Sequence, residues 1–265
     1  MENSMLLIPG ADVPKPRGLE DSPPGLGPEE PTMLGLVELL LKEPGRVDQL
    51  NRQPGLQGEL FPRFLLIAQG CYLAFALIMV LILNIAPAAA YPHSLLLKMP
   101  PASWSDGTAL ALPLAYAIGI VLAACVCLPC FYFYSLLAGA RMSWLQIVSL
   151  IGKGTAASAI MLLGILPIYV AVVMGMIVFD APAVSLQWTL KLGLLLPFLA
   201  GRWGVNSIFQ GMMTQVETLP EAWRCRRRCF LRRLTFSWSA VYTAVLPIMI
   251  YRLWEYFALH LRMGS

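Results

Sequence analysis

The chain has 265 residues, of which 58% are apolar and only 13% charged, with a formal net charge of +4. A water-facing domain carries about a quarter charged residues, so this composition excludes an ordinary soluble domain and predicts an all-α polytopic membrane bundle. The basic excess does not call for nucleic acid as a partner. The lysines and arginines abut apolar segments, where they set topology and meet anionic lipid.

Residues 1–31 contain Pro9, Pro14, Pro16, Pro23, Pro24, Pro28 and Pro31. No helical or strand period survives that proline density, so a disordered tail is expected. A proline-rich docking peptide is the functional alternative to a solvated leader. The beginning of the chain lacks a basic region followed by an apolar one, so no cleavable signal peptide is expected.

Residues 32–60 form the second segment. Met33, Leu34, Leu36, Val37 and Leu39 to Leu41 precede Pro44 and Gly45, with Glu38, Lys42 and Glu43 between and after them. Crossing the hydrocarbon takes about 20 residues. This run is shorter and predicts an amphipathic helix at the interface or packed on the bundle, with Thr32 as N-cap. One or two polar helical turns, Arg46 to Gln53, lead towards the membrane.

The bundle is placed at residues 61–256, with five spans and a short tail at 257–265. The first span, 64–85, has no charge and lies between Pro62-Arg63 and Pro87. A loop with His93, Lys98, Pro100-Pro101, Trp104 and Asp106 follows. The second span, 109–137, carries Pro113 and Pro129. The third, 147–179, has Lys153 near its entrance and Pro167 in its interior, and Asp180-Ala181-Pro182 turns the chain. The fourth, 184–200, contains Lys191. The fifth, 234–251, closes on Arg252, Trp254, Glu255 and Tyr256.

Charge tests the count. With five spans, the N-terminal side carries fifteen of the nineteen basic residues and the opposite side only Lys98, Arg252 and Arg262, with Lys191 in the membrane. The positive-inside rule then puts the N-terminus in the cytoplasm and the C-terminus across the membrane. Arg224 to Arg233, with six arginines, is the expected contact for anionic lipid.

Four positions stand out as functional candidates. Lys191 is an ionisable group inside a span, which is costly unless it is paired or hydrated; Asn84, Gln69 or a water-filled cavity are its expected partners, and snorkelling along its own stem is the structural alternative. Cys127 and Cys130 form a C-x-x-C, the spacing in which one thiolate attacks a disulfide and the other resolves it. Small cysteines that pack between helices are the alternative. Lys98 enters through a resemblance. Cys225 and Cys229 lie far in sequence from His93 and His260, so no metal site is expected, and no cofactor.

Lys98-Met99-Pro100, the block Cys127-Leu128-Pro129-Cys130-Phe131-Tyr132-Phe133-Tyr134-Ser135-Leu136-Leu137-Ala138-Gly139, and the Trp238-to-Trp254 helix belong together. They resemble a group of bacterial multi-span proteins related in architecture to the Yip1 family. That resemblance implies a five-helix bundle preceded by a short cytosolic helix, in the bacterial cytoplasmic membrane. The D-L-Y-G-P and glycine-tyrosine signatures of the eukaryotic relatives, which act in vesicle traffic through small GTPases, are absent, so GTPase partnership does not carry over. The expected function is a non-enzymatic scaffold or membrane-organising component, with other membrane proteins or further copies of itself as partners. A small transporter or channel subunit using Lys191, and a thiol oxidoreductase using Cys127 and Cys130, are the two alternatives.

Overall fold

The structure is a computed structural model that describes residues 32–53, 55–86, 108–137, 142–216 and 221–263. The proline-rich tail, Lys98 and the loop around it lie outside the described residues. So do the side chains of Arg224, Cys225, Arg226 and Arg227. From Met33 onward the chain forms one compact unit, and all its regular structure among the described residues is helical.

Hydrocarbon offers backbone groups no hydrogen-bond partner, so an apolar run must satisfy them internally as a helix. Two short helices come first, α1 (Met33–Lys42) and α2 (Pro44–Leu50). Five follow that are long and apolar enough to cross a membrane: α3 (Gln57–Ile85), α4 (Ala111–Leu137), α5 (Trp144–Val178), α6 (Ala183–Val216) and α7 (Glu221–Met263). A 3-10 turn, Thr108–Leu110, leads into α4.

The five expected spans are present, and three extend well past their expected bounds. α3 starts at Gln57 and continues through Pro62. α6 does not stop at Ala200 but runs on past Arg202 to Val216. α7 has 43 residues rather than the 234–251 expected. At 1.5 Å per residue it is about 64 Å long, twice the ~30 Å hydrocarbon thickness, so its ends project. Arginine is a good helix former, and a charged stretch that clears the lipid has no reason to break the helix. Charge marks where lipid ends; it does not mark where a helix ends.

Both ends of α5 are chemically specified. Ser143 Oγ accepts from the Gln146 amide at 3.2 Å, and Gln146 Oε1 accepts from the Ser143 amide at 3.4 Å, a reciprocal cap that satisfies two orphan donors. At the other end the Ala181 amide donates to Met176 O at 2.9 Å and the Asp180 amide to Ile177 O at 3.4 Å, closing the last turn around a left-handed residue. That residue is Asp180, with φ of 49°. Glycine adopts this conformation without the Cβ penalty. Asp180→Gly is therefore expected to raise stability slightly and Asp180→Val to lower it by about 1–2 kcal/mol, read as melting temperature in detergent.

The helices alternate in direction. α3 lies centrally, against α5 on one side and α4 on the other; α6 pairs with α5, and α7 with α4. α5 and α6 approach closely because each presents a glycine: a Cβ on Gly204 would run into the Gly154 carbonyl, and one on Gly154 would meet Ile208. Further along, Tyr169 donates to Thr189 O at 3.2 Å, and its ring fills the space a side chain at Gly193 would need. On the other flank Trp238 stacks on Tyr242 (centroids 5.3 Å apart, 14° between planes), contacts Phe131 at 4.9 Å and donates from Nε1 to Cys127 O at 3.0 Å. α6 and α7 touch only sparingly, which leaves a seam between them. Large apolar residues such as Leu66, Ile168, Val172, Leu195, Val241 and Ile248 face outward, as a lipid-covered bundle requires.

Candidate functional site

Polar groups concentrate at the end of the bundle where α1 and α2 dock. Lys153 lies on α5, fully buried, and its Nζ donates to Asp48 Oδ1 at 2.5 Å and to Pro44 O at 3.1 Å. Asp48, itself 5% exposed at the side chain, comes from α2, so one ammonium group grips both the side chain and the backbone of that helix. Gly211 of α6 lets it fit: a Cβ there would come within 3.0 Å of Asp48 Oδ1 and would also collide with Leu150. Burying two charges costs several kcal/mol per ion, recovered only when the pair is well made. A pair bought at that cost fixes geometry. Around it, Gln57 donates to Asn51 O at 3.0 Å and the Ser143 hydroxyl to Gln57 Oε1 at 3.4 Å, while Asn51 Oδ1 and Ser149 Oγ are buried without a partner. On the outer face of α1 the Lys42 ammonium donates to Glu38 at 2.6 Å. This hydrogen bond, with the attraction of opposite charges, holds the Glu38 carboxyl below its ordinary range and Lys42 above its own.

The second feature is a cavity of about 640 Å³ in the α6–α7 seam, within the ~300–1,000 Å³ range of small-molecule sites. Its walls repeat at helical spacing: Phe198, Arg202, Val205 and Phe209 on α6, and Arg232, Thr235, Ser239, Thr243 and Leu246 on α7. Tyr72 of α3 and Thr155 and Ser158 of α5 form the back, with Tyr72 and Ser158 hydroxyls 2.8 Å apart. Among the described residues its lining holds two arginines and no carboxylate. Among the described residues neither Arg202 nor Arg232 forms an ion pair. Thr235, only 3% exposed, has an Oγ1 without a hydrogen-bond partner.

The residues singled out from sequence are not gathered at either place. Lys191 lies near the start of α6, its ammonium 4.8 Å from the centroid of the Trp188 ring. Of its expected partners, Gln69 donates from its amide nitrogen to Ala117 O at 2.9 Å and Asn84 from its own to Val80 O at 2.8 Å. A cation over an indole face is stabilised by the ring quadrupole, which gives Lys191 a local partner on its own helix. Cys127 is buried against α7 while Cys130, one turn on, is exposed. Both are free thiols, as are Cys71, Cys125 and Cys229. Lys98 lies outside the described residues.

Two features escaped the sequence reading. Asp48 sat in what read as a polar linker turn, and Lys153 as a span entrance; nothing local joins residues 105 positions apart. The polar stripe of α7 was legible in principle, since Arg232, Thr235, Ser239 and Thr243 recur at steps of three and four. No family model, curated protein or solved structure matches the chain.

Proposed function

We propose that this chain is a non-enzymatic multi-pass protein that organises its surroundings in the bacterial cytoplasmic membrane, with α1 and α2 on the cytoplasmic side and the C-terminus across the membrane. The observation that carries the proposal is the buried Asp48–Lys153 pair, which ties a short helical pair to the membrane bundle in one orientation. A free interfacial helix needs no such tie; a surface that partners recognise does, because preorganisation lowers the cost of association. α1 turns Leu36 and Leu40 inward and leaves Leu34, at 83% exposure, and Leu41 outward beside Glu38 and Lys42. The likeness of the Cys127–Gly139 block to Yip1-related bundles and the fifteen-to-three charge asymmetry support the same reading.

The test is a photo-crosslinking residue at position 34 in native membranes, compared with one at Phe179, which is 85% exposed at the opposite end of the bundle. Position 34 is expected to give a discrete adduct that is lost in Asp48→Asn, whereas position 179 gives none in common with it. The same diffuse adducts from both positions would contradict the proposal. The α6–α7 cavity favours a second reading, a small transporter. Solute flux in reconstituted vesicles that falls when Ser239→Trp narrows the cavity would support it, and flux sensitive instead to Lys191→Ala would move the site to Lys191.

A further inference from the structure

We propose that the α6–α7 cavity binds one anionic glycerophospholipid, with its phosphate at Arg202 and Arg232 and its acyl chains along the deep apolar end. This goes beyond the organising role and stands on different residues.

The cavity has an axis. Antiparallel pairing sets Gly154 opposite Gly204, so Phe209 lies towards the end where α2 docks, Arg202 lies about two turns further in, and Pro197 and Phe198 are deepest. On α7, Arg232 lies at that same end, and Leu246 is fourteen residues further in, about 21 Å at the helical rise. Along α7 polarity falls from the Arg232 guanidinium through the Thr235 and Ser239 side chains to Leu246, and Arg202 enters from α6 midway, one turn before Phe198. A phospholipid has that gradient, from phosphate through ester oxygens to hydrocarbon.

Charge argues for the anionic class. Arginine's planar fork fits phosphate oxygens in a bidentate way, and among the described residues two arginines and no acid line the cavity, which leaves it net positive. Thr235 is part of the cavity wall, and its hydroxyl is buried there without a hydrogen-bond partner. A free phosphate ion would use the arginines and leave the apolar half of the cavity empty. The sparing contact between α6 and α7 gives a lipid lateral entry from the bilayer.

The test uses the full chain purified from detergent into phosphatidylglycerol or phosphatidylcholine nanodiscs, with retained lipid counted by native mass spectrometry. The wild type is expected to keep one phosphatidylglycerol, and R202Q/R232Q to lower that retention about tenfold or more, since each basic side chain near the headgroups contributes about 1 kcal/mol. R233Q removes the same kind of charge from an exposed position outside the cavity lining and is expected to leave retention unchanged. S239W, which narrows the cavity at its middle without changing charge, is expected to abolish it, and decides the matter if the arginine double variant fails to fold. Millimolar inorganic phosphate is expected not to displace the lipid. Equal retention of phosphatidylcholine, an equal loss in R233Q, retention surviving S239W, or displacement by free phosphate would each overturn the proposal.

Discussion

Asp48→Ala is expected to destabilise the protein by about 3–5 kcal/mol, the cost of leaving one buried charge without its partner. The Lys153 ammonium is fully buried, and its other acceptor is a single carbonyl, Pro44 O. Removing the carboxylate therefore strands a cation between α2, α5 and α6. The double substitution Asp48→Ala with Lys153→Met is expected to recover most of the loss, because taking out both charges also removes their desolvation cost. Denaturant titration in mixed micelles measures both, and limited proteolysis between α1 and α3 reads whether the helical pair has come away. A single variant as stable as the wild type, with no gain in proteolysis, would mean that the pair does not hold α2 to the bundle.

The second large effect is expected at Trp238. It is 3% exposed, stacks on Tyr242, contacts Phe131 and donates to Cys127 O, so one side chain joins α7 to α4. Truncating a buried aromatic to alanine costs about 3–5 kcal/mol through lost burial and the cavity left behind. Trp238→Phe keeps most of the ring contacts and gives up the hydrogen bond, for which about 1 kcal/mol is expected. The difference between the two variants apportions packing against hydrogen bonding. Equal losses would assign the contribution of Trp238 to the Cys127 carbonyl bond alone. Because Trp238 also borders the α6–α7 cavity, its alanine variant is expected to lower lipid retention as well.

The bundle was legible because the property that makes it, solvent exclusion along an unbroken apolar run, is written locally. Phe64 to Ile85 has no charged residue, and α3 covers it. The ends were less legible, for a physical reason. The fourth span was expected to end at 200, yet Arg202 just beyond it lines a cavity and the helix continues past it. The start of α5 could have been read from Ser143 and Gln146, three apart ahead of an apolar run. A hydropathy reading placed it a turn late, at Ile147.

The polar interior was hidden for another reason. Asp48 and Lys153 are each unremarkable in sequence, and only tertiary packing brings the carboxylate of a seven-residue helix onto a span. Lys191 drew attention because its charge sits among apolar neighbours. The structure gives it Trp188, a residue three positions away on the same helix, which a helical-spacing reading could have found. Both arginines of the cavity were counted as topology signals of the loop between the fourth and fifth spans. Their common cavity follows from α6 and α7 facing each other across a loose seam.

Five crossings would place the α1–α2 end and the C-terminus on opposite sides of the membrane. Alkaline phosphatase, active only outside the cytoplasm, fused after Val216 and separately after Ser265 tests this most directly. The five-span arrangement predicts silence after Val216 and full activity after Ser265; activity after Val216, or silence after Ser265 with the fusion stably expressed, would contradict it.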